Sequence, residues 1–148
     1  MKTLILLTLA LSTAHARLGE NIDQLVTRFG TRPRTKLIKD GELWTFTTPT
    51  LIIAVQSGGF NYPRSKCETY TKANGELWTD KEVLALCNQM ITGYMTYPRT
   101  ILNDDGSIRW NYLKSREKEP EFSVILEADR KSFSIGPVKG WREISAKL

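Results

Sequence analysis

Histidine is almost missing from this sequence. His15 is the single histidine in 148 residues, and it lies close to the N-terminus. Lys2 precedes the apolar run Leu4–Leu11, which leads to Ala14-His15-Ala16, and this order of charge, apolar segment and small residues is typical of a secretory signal peptide. We therefore expect residues 1–16 to be removed on export, together with the histidine. A chain without histidine cannot form a Ser-His-Asp triad or a histidine-ligated zinc site.

Long apolar runs are also missing after Leu11, so we expect no membrane-spanning helix. No cysteine directly follows the predicted cleavage site, and a lipid anchor is therefore not indicated. About 130 residues remain, enough for one domain with its own core. We predict a secreted or periplasmic protein, cleaved near Ala16, whose residues 17–148 form a single α+β domain.

Cysteine is scarce, with Cys67 and Cys87 as the two examples. In an oxidising compartment an even number favours a disulfide, which would close a loop of about 20 residues and stabilise the fold by roughly 3 kcal/mol. The alternative is a pair of buried thiols, because Cys87 falls on the apolar side of a predicted helix. Sequence spacing does not decide between them. We expect no metal site and no cofactor.

Phosphate-binding loops, Gly-x-Ser-x-Gly elbows, EF-hand loops and dinucleotide fingerprints are absent. The formal net charge of +5 is spread along the chain, and we expect no nucleic-acid partner. Carboxylates are then the remaining catalytic candidates. Glu68 and Glu127 on predicted strands could form a glycosidase pair, whereas Asp104-Asp105 is typical of a turn.

An internal repeat is the strongest pattern that is present. When Ile22–Leu43 is placed over Cys87–Ile108, an offset of 65, nine pairs are identical. One inserted residue then aligns Trp44 with Trp110 and Phe46 with Tyr112. The identical pairs are Gln24/Gln89, Thr27/Thr92, Thr31/Thr96, Pro33/Pro98, Arg34/Arg99, Thr35/Thr100, Leu37/Leu102, Asp40/Asp105 and Gly41/Gly106. Typical residue usage gives roughly one match in 15 or 20 by chance.

The repeat predicts an architecture. Each copy has a helical apolar stripe, an Asp-Gly bend between extended runs and further strands. We expect the first helix to begin at an Asn21 cap and to end at Gly30. We expect the second to begin with a capping box from Thr79 to Glu82 and to end at Gly93.

We predict an α+β fold in which one antiparallel sheet is covered on one face by two helices. It would be built as a degenerate tandem α-β-β-β repeat with units at about 19–72 and 79–136. The run Thr50–Val55 is apolar on both sides, so we expect that strand to be central and buried on both faces.

Two sets of residues are candidates for binding. Trp44 and Phe46, with Trp110 and Tyr112 in the second copy, alternate along strands and would share one face. They could form an aromatic surface for a protein or glycan partner, or they could be the core beneath the helices. Arg34 and Arg99, listed above as an identical pair, could hold carboxylates or phosphates bidentately, or could be solvated strand ends.

The first copy also resembles a known family. Gly19, Gln24-Leu25, Phe29-Gly30 and Pro33, followed by Leu43-Trp44-x-Phe46, are similar to the opening of a bacterial envelope family. That family includes the outer-membrane assembly lipoprotein BamE and the secreted β-lactamase inhibitory protein. The resemblance implies α/β repeats, no cofactor and binding or assembly without catalysis. Membership of another group of small secreted bacterial proteins is the alternative.

These observations lead to one functional expectation and one alternative. We expect an exported, non-catalytic module that binds an envelope or extracellular protein, as an assembly factor or inhibitor does. The alternative is a carboxylate-dependent hydrolase acting on cell-wall or other glycans. A purely structural domain with no specific partner is a third interpretation.

Overall fold

The computed structural model describes residues 18–58, 63–90, 99–112 and 122–137; the predicted signal peptide lies outside these ranges. They contain an antiparallel sheet of eight strands and two helices, so the predicted α+β class is confirmed. The helices are α1 (Ile22–Phe29) and α2 (Asp80–Met90). The strands are β1 (Arg34–Ile38), β2 (Gly41–Thr47), β3 (Leu51–Gly58), β4 (Arg64–Lys72), β5 (Arg99–Leu102), β6 (Ile108–Tyr112), β7 (Phe122–Leu126) and β8 (Ser132–Pro137).

The strand order across the sheet is β1-β2-β3-β4-β8-β7-β6-β5, and every pair of neighbours is antiparallel. Strands β1 to β4 form three pairs, and strands β5 to β8 form three more. Each of these six pairs joins strands that are consecutive in the chain. Among the described strands, the two groups pair with each other only between β4 and β8, through registers such as Tyr70 opposite Phe133. Four strands therefore follow each helix, one more than in the predicted α-β-β-β unit.

Helix α1 begins and ends where its sequence predicts. The Asn21 side chain accepts a hydrogen bond from the backbone N–H of Gln24 at 2.9 Å, and the Gln24 side chain accepts one from the N–H of Asn21 at 2.9 Å. This reciprocal capping satisfies two N–H groups that have no partner inside the helix. At the other end Gly30 has a φ of 71°, a left-handed conformation that costs glycine little.

Helix α2 starts with the predicted capping box. The backbone N–H of Glu82 donates to the Thr79 hydroxyl at 3.2 Å, and the Thr79 N–H donates to the Glu82 carboxylate at 3.0 Å. Lys72 of β4 donates to both oxygens of the same carboxylate, which links the helix start to the sheet. Although burial alone would raise the pKa of Glu82, the bonds from Thr79 and Lys72 lower it. The predicted end at Gly93 lies outside the described residues.

The main core contains side chains from both helices and from the sheet. Leu25 of α1 and Val83, Leu86 and Cys87 of α2 belong to one buried cluster with side chains of β2, β3, β4, β6, β7 and β8. Trp78, just before α2, packs edge-on against Phe133 with ring centroids 4.9 Å apart. Burying each large apolar side chain contributes roughly 2 kcal/mol, so this cluster is the main source of stability.

Strand β3 departs from its predicted burial. Leu51, Ile53 and Val55 are buried, but Ile52 is 38 % exposed and Ala54 is only half-buried. The prediction that both sides of this strand are buried is therefore wrong at Ile52. The strand also continues past Val55, because the polar residues Gln56 and Ser57 pair with β4 as well.

The two Asp-Gly bends occupy corresponding places. Asp40-Gly41 lies between β1 and β2, which form the hairpin at one edge of the sheet. Asp105-Gly106 lies between β5 and β6, which form the hairpin at the opposite edge. Asp105 stabilises its bend by accepting hydrogen bonds from the backbone N–H and hydroxyl of Ser107, which agrees with the predicted turn at Asp104-Asp105.

Among the described residues, no helix is both long and apolar enough to cross a membrane.

The substitution Gly41→Ala tests the close approach of the first hairpin to β3. An alanine Cβ would lie 2.1 Å from the carbonyl oxygen of Ser57, so the two backbones would have to move apart. The hydrogen bonds that join the Ser57 hydroxyl to the backbone of Glu42, at 3.0 and 3.1 Å, would then lengthen. We expect the free energy of unfolding in urea to fall by about 2 to 3 kcal/mol.

Gly30→Ala is the matched control. A Cβ there meets no atom within 4 Å, and only the positive φ opposes the change. We expect a loss of about 1 kcal/mol, so equal losses at the two glycines would contradict the proposed clash.

Candidate binding surface and buried charge cluster

Residues opposite each other in an antiparallel pair share a face of the sheet, so the strand registers divide the side chains into two sets. One set is apolar and belongs to the main core. The other set, which we call the polar face, is rich in threonine, serine and basic residues. Its members include Arg34, Lys36, Leu43, Thr45, Thr47, Ile52, Ala54, Gln56, Cys67, Thr69, Thr71, Ile101, Arg109, Asn111, Ser123, Ile125, Ser132 and Ser134.

The polar face is open in one part and buried in another. It is buried at Gln56 of β3, Cys67 of β4, Ser123 and Ile125 of β7 and Ser134 of β8. It is open on β1 and on the neighbouring parts of β2 and β3, and we call this region the polar patch. Its exposed residues are Arg34, Lys36, Thr47 and Ile52, and its half-buried residues are Thr45 and Ala54. Many protein interfaces have this composition, in which an apolar side chain is surrounded by polar ones.

The four aromatic candidates do not lie on a surface. Trp44, Phe46, Trp110 and Tyr112 are each 2 % exposed or less and belong to the main core. Trp44 donates its indole N–H to Glu42 at 2.7 Å, and Phe46 lies 4.9 Å from Phe29 of α1, between ring centroids. The aromatic-surface hypothesis is therefore wrong, because all four alternate onto the apolar side of their strands.

The two candidate arginines are not brought together. Arg34 is exposed on β1, and Arg99 lies on β5 with its backbone opposite Asn111. These strands are the two edges of the sheet, separated by seven strand spacings or roughly 33 Å. The Arg99 side chain lies outside the described part of the chain. A ligand held by both arginines would have to span the whole sheet.

The predicted disulfide is not present, because Cys67 and Cys87 are both free and buried thiols. Cys67 pairs with Gln56 on the polar face and clusters with Ile125. Cys87 lies in the main core on the other side of the sheet. Burial, helped by the charge of Glu68, raises the pKa of Cys67 to about 12, and burial alone raises the pKa of Cys87. Neither is a ready nucleophile.

A buried charge cluster beside α1 was not predicted. The Arg28 guanidinium forms ion pairs with Glu68 of β4 and, at 3.1 Å, with Glu20. The side chains of Arg28 and Glu68 are 3 % and 1 % exposed. The guanidinium also lies 4.5 Å from the centroid of the Phe29 ring. The sequence signal was weak: Arg28 is a charged residue three positions after Leu25, on the side of the helix that faces the sheet.

Tyr70 completes the cluster by donating its hydroxyl to the second carboxylate oxygen of Glu68 at 2.5 Å. Burial and the neighbouring charge of Glu68 raise the pKa of Tyr70 well above its ordinary value, so the hydroxyl keeps its proton. Both oxygens of Glu68 therefore have partners. A carboxylate held in this way inside the core cannot contact a glycan, which removes Glu68 from the predicted hydrolase pair.

The remaining carboxylates offer no alternative catalytic cluster in the described ranges. Glu127 follows β7 and is half-buried, and its backbone N–H donates to Ser132. Within the described residues no three potential ligands come together to hold a metal ion.

Comparison with known proteins gives no family. No protein-family profile matches the chain, and no curated protein or solved structure shows significant similarity to it.

Thiol alkylation tests the placement of the cysteines. We expect native protein at pH 8 to react slowly with iodoacetamide and to add two carbamidomethyl groups once it is denatured, because both thiols are buried and burial keeps them protonated. Intact mass spectrometry measures this. Denatured protein that reacts only after treatment with a reductant would contradict the free thiols.

Removing the charge of Glu68 tests the buried cluster. In Glu68→Gln the Arg28 guanidinium remains in the core without its main counter-ion, and we expect the free energy of unfolding to fall by about 3 to 5 kcal/mol. Tyr70→Phe removes one hydrogen bond and should cost only about 1 kcal/mol beyond any packing change. Urea denaturation followed by tryptophan fluorescence measures both.

The double variant Arg28→Met with Glu68→Leu is the control for the charge itself. It replaces both buried charges by apolar side chains, and we expect it to be more stable than Glu68→Gln alone. A double variant as unstable as the single one would show that the shape of the cluster, rather than its charge, controls stability.

Proposed function

We propose that this protein is an exported, non-catalytic module that binds a protein partner through the polar patch. The observation that carries this proposal is the combination on one open sheet surface of exposed Ile52 with Thr47, Arg34 and Lys36. Most apolar residues of the opposite set lie in the main core, and Glu68 is held by Arg28 and Tyr70. The exposed residues of the sheet therefore fit a protein interface better than an active site.

We also propose that the sheet arose by duplication of one helix and four strands. Strands β1, β2, β3 and β4 correspond to β5, β6, β7 and β8 under a two-fold rotation about an axis between β4 and β8, perpendicular to the sheet. Such a rotation keeps the faces of the sheet unchanged, so α1 and α2 would cover the same face. The common core cluster of both helices and the matching Asp-Gly bends support this.

The duplication gives the binding proposal a physical basis. With both helices on one face, the open part of the other face, which is the polar patch, is left available for a partner. The three strands of the polar patch, at about 4.8 Å spacing, give it a width of about 10 Å between strand axes. The resemblance to envelope inhibitors and assembly factors, and the predicted signal peptide, favour a partner in the periplasm or outside the cell.

Partner capture with a surface variant tests the proposal. The chain from residue 17, carrying a tag, is immobilised and exposed to envelope and secreted proteins of the native host, and bound proteins are identified by mass spectrometry. We expect a partner that wild type retains and Ile52→Glu loses, because the substitution puts a charge where the patch has its exposed apolar side chain.

Leu77→Glu is the matched control. Leu77 is 53 % exposed and lies in the segment before α2, away from the polar face. Capture that persists in Leu77→Glu but not in Ile52→Glu supports the polar patch. Equal capture by all three proteins would reject it, as would the absence of any specific partner.

A further inference from the structure

Strand β1 is an edge of the sheet with unusual side chains. Among the described strands it pairs with β2 alone, so the backbone N–H and C=O groups along its other side have no described strand to bond. Arg34, Thr35 and Lys36 are exposed, and Leu37 is 79 % exposed. The strand therefore offers both backbone hydrogen bonds and side chains to another extended segment.

The charged residues along this edge are all basic from Arg32 to Lys39, up to the bend at Asp40-Gly41. Arg32 and Lys39 are exposed on either side of Arg34 and Lys36. None of the four forms an ion pair with a described residue. Four unpaired positive charges along roughly 25 Å of extended chain attract an acidic segment in preference to a basic one.

The side chains alternate in a way that specifies the partner further. Arg34 and Lys36 point to the polar face, whereas Thr35 and Leu37 point to the other face. In a partner strand paired with β1, the residues opposite Arg34 and Lys36 would lie on the polar face. The residues opposite Thr35 and Leu37 would lie on the other face. Acidic residues opposite Arg34 and Lys36, alternating with an apolar residue opposite Leu37, would match both sets.

We infer that β1 binds an extended acidic segment of another protein by strand addition, in which the segment becomes a ninth strand of the sheet. The bound sequence alternates acidic and apolar residues. Backbone hydrogen bonds supply affinity and the alternating side chains supply specificity. This inference rests on the proposed binding function and names the chemistry of the partner.

A second copy of this chain fits the same edge poorly. Two β1 strands paired with each other would bring Arg34 and Lys36 of both copies together, and like charges across a strand pair are destabilising. Basic residues on an edge strand protect against such self-pairing. The opposite edge, β5, is followed by Asp104 and Asp105, which would repel an acidic strand, although its Leu102 is also exposed.

A synthetic peptide tests the inference directly. The probe is a seven-residue peptide of alternating glutamate and valine with blocked ends, titrated against the chain from residue 17. We expect saturable binding that weakens as sodium chloride is raised, and amide hydrogen exchange slowed by about tenfold or more in β1 but not in β5. The same peptide methylated at two consecutive backbone nitrogens should not bind, since it cannot pair as a strand.

Charge reversal tests the residues. In Arg34→Glu with Lys36→Glu we expect the dissociation constant to rise on the order of tenfold or more, because two attractive pairs become repulsive. The control is Lys81→Glu with Lys131→Glu, which changes the net charge by the same amount at exposed sites away from β1. It should alter the dissociation constant by about twofold or less.

Several outcomes would overturn the inference. These are no peptide binding, binding that protects amides elsewhere, equal loss in both double variants, and self-association that protects β1 in the absence of peptide. Tight binding to anionic lipid vesicles without protection of β1 would assign the charges to a membrane surface instead. If the peptide fails but Ile52-dependent capture of a partner persists, the inference falls and the proposed function stands.

Discussion

The pairing of β4 with β8 is the contact on which the rest of the molecule depends. Within each half, the described strands pair with their neighbours in the chain, and the β4–β8 pair joins the two halves into one sheet. It sets Tyr70 against Phe133, with stacked rings 5.0 Å apart, at the centre of the core. Because the pair is antiparallel, it also fixes which side chains of the two halves share a face.

The buried charge cluster depends on the same arrangement. Glu68 of β4 points into the core, because the residues opposite it, Val55 of β3 and Ile135 of β8, are apolar core residues. A carboxylate there needs a counter-ion, and Arg28 of α1 supplies it while Tyr70 donates the remaining hydrogen bond. The cluster therefore specifies how the first helix sits on the sheet, and a wrong helix position would leave a charge unpaired.

Local sequence patterns predicted much of the fold. The Asn21 and Thr79 caps, the Gly30 stop and the hairpin bend at Asp40-Gly41 were correct because short-range hydrogen bonds and backbone preferences control them. Strand alternation correctly grouped Trp44 with Phe46 on one face. The same pattern does not indicate whether that face is buried, because a strand that packs on a core and a strand at an interface both alternate apolar and polar residues.

What the sequence alone determined is the starts of the two helices, the two Asp-Gly bends, the α+β class and the absence of histidine from the region after residue 16. Tertiary structure alone decided which faces are buried, which strands are edges and which charges meet. Cys67 and Cys87 illustrate the difference, because spacing allowed a disulfide and the sheet lies between the two thiols. The physical reason is that burial and pairing depend on contacts between residues far apart in the chain, whereas caps, bends and alternation depend on neighbours.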